Sequence, residues 1–177
     1  PAWQVIMVGP VAKIEPEALP RRANLHWLGQ QPYSLLPQLV AGWDVCLMPF
    51  ALNESTEFIS PTKTLEYMAA GKPVVSTPVH DVKAMFGDIV AIAGDARGFI
   101  AACRAALAES AEARSTRETR MQARVARHSW DAAAEQIRRS LEAVMARSPA
   151  REPEAAAPAP VADAAATKTL RKVASAG

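Results

Sequence analysis

Five short apolar runs, each followed by a loop or a segment with helical spacing, constrain this chain more than any other feature. They are WQVIMV (3–8), NLHWL (24–28), DVCLMPF (44–50), PVVST (73–77) and DIVAIA (88–93). Gly, Pro or Asp bounds them, and none alternates cleanly between polar and apolar, the pattern of parallel strands covered on both faces. Apolar spacing predicts helices over 34–41, 61–70 and 81–86, another from residue 95, and two more over 112–127 and 131–146. Strands alternating with helices in this way predict an α/β fold with a doubly wound, mostly parallel sheet. The connection over 9–23 is rich in Pro and Arg and reads as irregular.

Composition sets the limits of that domain. The chain has 177 residues, 50% hydrophobic, with a net charge of +2. Such a length can bury a sizeable core, and so balanced a charge gives no reason to expect nucleic acid or a membrane surface as partner. No apolar run approaches the roughly 20 residues of a transmembrane segment. The expected domain is 1–146. The tail 147–177 is rich in Ala and Pro and has no aromatic residue. A segment of that kind buries too little to offset its ordering entropy, so it reads as a disordered tail or linker. Cys46 and Cys103 fall within a strand-like and a helix-like run and read as buried free thiols, suited to a reducing, cytoplasmic compartment. His26, His80 and His128 have no metal-ligand spacing, and neither metal nor cofactor is expected. The first residue is Pro1, which suggests a start inside a longer parent.

In sheets of this class ligands bind beyond the carboxyl ends of the strands. The longest and most polar of those connections is 51–60, which feeds into SPTKTLEYMAAGKPVVST (60–77). There Ser60 reads as a helix N-cap and Pro61 as the first helical residue. Leu65, Met68 and Ala69 form an apolar stripe, and Gly71 and Pro73 stop the helix. Lys63 does not fit, because a cation in the first turn opposes the helix dipole by roughly 0.3–1 kcal/mol. Either it extends into water, or it meets a phosphate beside the Ser60 and Thr62 hydroxyls. Glu66, three residues on, shares its face; it either pairs with Lys63 or accepts hydrogen bonds from the vicinal hydroxyls of a ribose.

This stretch resembles the donor-binding signature of the GT-B glycosyltransferases, in particular their retaining type. NLHWLGQQPYSLLPQL, GWDVCLMPF and HSWDAAAEQI agree with the same family in order and spacing, so the resemblance covers about 3–144. It implies the Rossmann-like C-terminal half of that fold. It further implies a nucleotide-sugar donor, of uridine or guanosine diphosphate type, bound here. An unknown acceptor (saccharide, lipid or small molecule) would be held by an N-terminal domain that is missing from this stretch. By the resemblance, Glu66 holds the ribose, Ser60, Thr62 and Lys63 lie near the diphosphate, and Gly29 and Tyr33 lie against the base. The family's second glutamate, eight residues before the first, is replaced by Phe58; the nearest acids are Glu57 and Glu54, and Glu57 is either the candidate catalytic residue or a solvated loop acid. The family's first strand of this half precedes 3–8, so a break in the sheet, or improper pairing, is expected beside 44–50. A fragment so cut is expected to be inactive by itself. Two rivals remain at this level: a non-catalytic nucleotide- or phosphate-binding α/β domain, and a regulatory α/β interaction domain.

Overall fold

A computed structural model describes residues 3–60 and 62–147. The chain falls into two units, Pro1–Ala133 and Ala134–Gly177. The tail expected over 147–177 lies outside the described residues except for Arg147.

The first unit is α/β, with every strand pair parallel. Strands β1 (Val5–Met7) and β2 (Leu25–Trp27) form one sheet, and β3 (Cys46–Met48), β4 (Val74–Ser76) and β5 (Ala91–Ile92) form another in that order. All five apolar runs become strands, each shorter than its run. No ladder joins β1 to β3 among the described residues, so the break expected beside 44–50 is present. The two sheets differ in cover. β4 is buried throughout and β3 at both ends, whereas no residue of β1 or β2 is fully buried.

Helices follow where apolar spacing placed them: α1 (Leu36–Ala41), α3 (Lys63–Ala69), α4 (His80–Phe86), α5 (Ala96–Leu107), α6 (Ala111–Ala126) and α7 (Trp130–Arg147). One four-residue helix, α2 (Glu54–Glu57), interrupts the expected loop, and a single 3-10 turn, Pro16–Ala18, interrupts the irregular connection. The core is built on β3 and β4 with Met68 of α3, Val82 and Phe86 of α4 and Met121 of α6. Trp130, which reads from the sequence as an anchor for the last helix, is instead 91% exposed. It is the first residue of α7.

The turn from α3 into β4 joins these layers. Gly71 has φ +68, a left-handed conformation that glycine adopts without strain. Its N–H donates to Met68 O (2.9 Å) and that of Lys72 to Tyr67 O (3.0 Å), which closes the helix as a Schellman motif. The Lys72 ammonium then caps α1 at Ala41 O (2.7 Å).

Three of the four arginines of α6 are structural. Arg117 pairs with Glu109 (2.9 Å), both side chains nearly buried, and donates to Gly71 O (2.9 Å). Arg120 donates to Asp88 O (2.7 Å), and Arg124 pairs with the Asp88 carboxylate (2.9 Å) and bonds Met85 O. One helix thus pins the ends of α3 and α4, while Met121 enters the core between these contacts.

Two changes separate the covalent turn from its clamp. Gly71→Ala forces a Cβ into left-handed backbone and is expected to cost about 1 kcal/mol. Arg117→Ala strands a nearly buried carboxylate and a carbonyl and is expected to cost about 3 kcal/mol. Urea unfolding of the whole chain, followed by circular dichroism, measures both; equal costs would contradict this ranking.

Candidate functional site

The carboxyl ends of β3 and β4 lock each other. Thr77, just after β4, donates its N–H to Met48 O (3.2 Å) and its hydroxyl to Phe50 O (2.9 Å). The chain therefore leaves β3 through Pro49 and Phe50 in a fixed direction. Beyond them the connection is ordered by Thr56, whose hydroxyl accepts from Asn53 N–H (3.1 Å) and donates to Ala51 O. The N-x-x-T spacing of Asn53 and Thr56 is a helix-start signal that reading 51–60 as a plain loop overlooked.

α3 starts later than expected. Its N-cap is Thr62 rather than Ser60, and Pro61 lies outside the described residues. Thr62 already has helical backbone, and its carbonyl accepts from Leu65 and Glu66 N–H (3.0 and 3.2 Å) while its side chain makes no capping bond. The main chain, not a hydroxyl, opens the helix, which leaves the Thr62 side chain exposed and uncommitted to capping. Lys63 becomes the first helical residue.

Lys63 and Glu66 are in direct contact, Nζ to Oε2 2.9 Å, with side chains 47% and 40% exposed. An i,i+3 pair this open to water is worth a few tenths of a kcal/mol. Beside it lies a cavity of about 240 Å³ against β3, whose wall includes Leu47, Phe50, Lys63 and Tyr67. Tyr67 packs edge-on against Trp43, centroids 6.3 Å apart, and burial pushes its hydroxyl pKa up. Lys63 is the cation on an otherwise mostly apolar wall.

The other expected residues are spread along the same chain ends. Gly29, after β2, has φ +65, and its carbonyl accepts from Gly9 N–H (2.9 Å), so this turn also suits glycine. Tyr33 is exposed at the start of a 3-10 turn, Tyr33–Leu35. Glu57 ends α2 and Ser60 follows it, both exposed. Lys63 and Glu66 are thus brought together, with Thr62 adjoining them, while Gly29 and Tyr33 belong to the other sheet. His80 is exposed and its ring bonds Asp81 (3.2 Å).

A family model described as "Glycosyl transferases group 1" matches residues 1–109. The chain belongs to the group 1 glycosyltransferases, of GT-B type. It is similar to the "Putative teichuronic acid biosynthesis glycosyltransferase TuaH" of Bacillus subtilis (strain 168), 30% identical over 118 residues. That match covers 63% of this chain and 30% of the relative, so the chain spans about a third of that protein's length. Among the described residues no helix is long and apolar enough to cross a membrane.

Both cysteines of this glycosyltransferase domain are buried and free. Burial pushes the Cys46 thiol up to about 12 from its ordinary 9.0, with Lys72 pulling weakly the other way. The folded state then holds a proton that the unfolded state releases above pH 9. This contribution is therefore complete below pH 9 and lost as pH rises towards 12. Iodoacetamide at pH 8 is expected to spare Cys46 in the native protein and to modify it readily in urea, as peptide mass mapping would read. Lys63→Ala is expected to change the unfolding free energy of the ligand-free protein by less than about 0.5 kcal/mol. A larger loss in urea unfolding would make the Lys63–Glu66 pair structural.

Proposed function

We propose that this domain binds the nucleotide of a nucleoside diphosphate sugar, for transfer of the sugar to an acceptor held elsewhere in a longer protein. The observation that carries this reading is the weak, exposed Lys63–Glu66 pair at the rim of the β3 cavity. Its two charges are already placed one helical turn apart, and little free energy holds them to each other. A diphosphate replaces Glu66 as the partner of Lys63. The released carboxylate then accepts the ribose hydroxyls, and the charge-assisted bonds formed on both sides are stronger than the one lost.

The remaining roles are those that the family resemblance implies. Ser60 and Thr62 hydroxyls lie in line with the diphosphate, and the turn at Gly29 with the Tyr33 ring meets the base. Glu57, on the short helix ordered by Thr56, meets the donor sugar. In the transfer, an acceptor hydroxyl oxygen bonds to the anomeric carbon as the bond from that carbon to the phosphate oxygen breaks. The nucleoside diphosphate leaves with the electron pair, and the acceptor hydroxyl gives up its proton. Residues 1–177 supply the donor side of this reaction.

Titration calorimetry of the chain with UDP, GDP and the matching nucleosides tests the assignment. Removing a charge-assisted contact worth about 1.5–3 kcal/mol is expected to weaken diphosphate binding roughly 10- to 150-fold in Lys63→Ala. Nucleoside binding should be unchanged by that substitution. Glu66→Gln is expected to weaken nucleoside and diphosphate alike and to reduce the preference for ribose over deoxyribose. Unchanged UDP and GDP affinity in Lys63→Ala would move the phosphate site elsewhere.

A further inference from the structure

The chain leaving β3 separates two hollows. On one side Pro49 and Phe50 wall the Lys63 cavity, and on the other they line a groove of about 520 Å³ across the carboxyl ends of β3, β4 and β5. Residue chemistry decides what holds this partition. Pro49 has no N–H, so the ladder between β3 and β4 cannot continue through it. The Phe50 carbonyl then needs a donor from outside the ladder, and Thr77 supplies one. Its hydroxyl lies 2.9 Å from Phe50 O, with Met48 O further off at 3.4 Å. Among the described residues this is the one hydrogen bond from the sheet to the partition, since the next carbonyl, Ala51 O, is taken by Thr56. Thr77 is itself fixed. Its carbonyl accepts from the Ser76 hydroxyl (2.8 Å) and from Val79 N–H (2.7 Å), and both of those residues are buried. The bond to Phe50 therefore ties the partition to the core. Thr77 lines the groove and not the Lys63 cavity, so it meets the wall from its far side.

We propose that Thr77 is a positioning residue for donor binding: its hydroxyl holds Pro49 and Phe50 where they wall the Lys63 cavity, without touching the ligand. The inference rests on reading that cavity as the diphosphate site. The cavity is small, about 240 Å³, and Pro49 and Phe50 lie in its wall together with Lys63. Without the hydroxyl, the Phe50 carbonyl is left short of a donor beside a half-buried side chain, and it recovers one by turning towards water. Pro49 has no hydrogen-bond donor with which to resist, so the wall turns with the carbonyl. A preformed wall then becomes one that the ligand must order as it binds. Affinity falls although no contact to the ligand has been removed.

The test is calorimetric titration of the whole chain with UDP and with GDP, at a temperature where circular dichroism shows each variant folded. Thr77→Val keeps the shape of the side chain without its hydroxyl. It is expected to weaken the diphosphate that wild type binds about tenfold, the scale of one lost hydrogen bond. Thr77→Ser keeps the donor and should bind as wild type does. A loss of stability alone would not produce this pattern, because the titration reads folded protein. The effect should also depend on Lys63. In a Lys63→Ala background, Thr77→Val is expected to change affinity less than about threefold, because residues coupled through one wall do not add. If Thr77→Val does not fold, Thr77→Ala takes its place, and failure of both to fold would overturn the proposal by making the hydroxyl a requirement of the fold. Wild-type affinity in Thr77→Val, an equal loss in Thr77→Ser, or the same loss with and without Lys63 would each overturn it too. If wild type binds neither UDP nor GDP, or Lys63→Ala binds them unchanged, the donor reading falls and takes this inference with it. If Lys63→Ala weakens binding and Thr77→Val does not, this inference falls alone.

Discussion

The left-handed turn at Gly71 is the constraint on which the placement of the site depends. It closes the carbonyls at the end of α3, and its own carbonyl receives Arg117 from α6. The next residue reaches back to cap α1. Three helices and the most buried strand are therefore referenced to two residues. Lys63 and Glu66 ride on α3, so their position beside β3 is set by this turn at one end of the helix and by the Thr62 carbonyl at the other.

The charged surface of α6 illustrates how composition misleads at the level of function. An Arg-rich helix reads as a solvated or anion-seeking face, yet Arg117, Arg120 and Arg124 spend their donors on carbonyls and carboxylates at the ends of neighbouring elements. Guanidinium groups suit this work because one fork can satisfy a carboxylate and a carbonyl together. Lys63 differs from them in that, among the described residues, its only partner is a half-exposed glutamate one turn away.

Much of the fold was legible because it is written in local terms. Strand runs without alternation, helical spacing, and glycines at the ends of elements all depend on near neighbours, and all appear where expected. Gly71 was legible as a stop, and Cys46 and Cys103 as buried thiols. The helix starts were less so. Ser60 looks like a cap by residue type, but Thr62 opens α3 through its main chain, a choice made by backbone geometry that residue type does not encode. The order within 51–60 depends on a single threonine bonding back to Ala51 and Asn53, and the partners of α6 depend on contacts distant in sequence. At the site, the Lys63–Glu66 juxtaposition was legible from three-residue spacing. A hollow of about 520 Å³ lined by Phe50, Thr77, Asp95 and Phe99 was not, because its walls come from the ends of three strands.

The division into two sheets has an energetic consequence. β1 and β2 are three residues each, with no fully buried side chain, and a two-stranded ladder of that size is marginal unless something is laid over it. β3, β4 and β5 share the packed core. The first unit should therefore open in stages, with β1 and β2 exchanging their amide hydrogens well before the central strands. Gly29 and Tyr33 belong to the early-opening part, Lys63 and Glu66 to the late one. Recognition of a base by the former would consume free energy in ordering the ladder, whereas recognition of a phosphate by the latter would not. One ligand would thus tighten one half of the domain and merely occupy the other, and its heat of binding would contain a folding reaction.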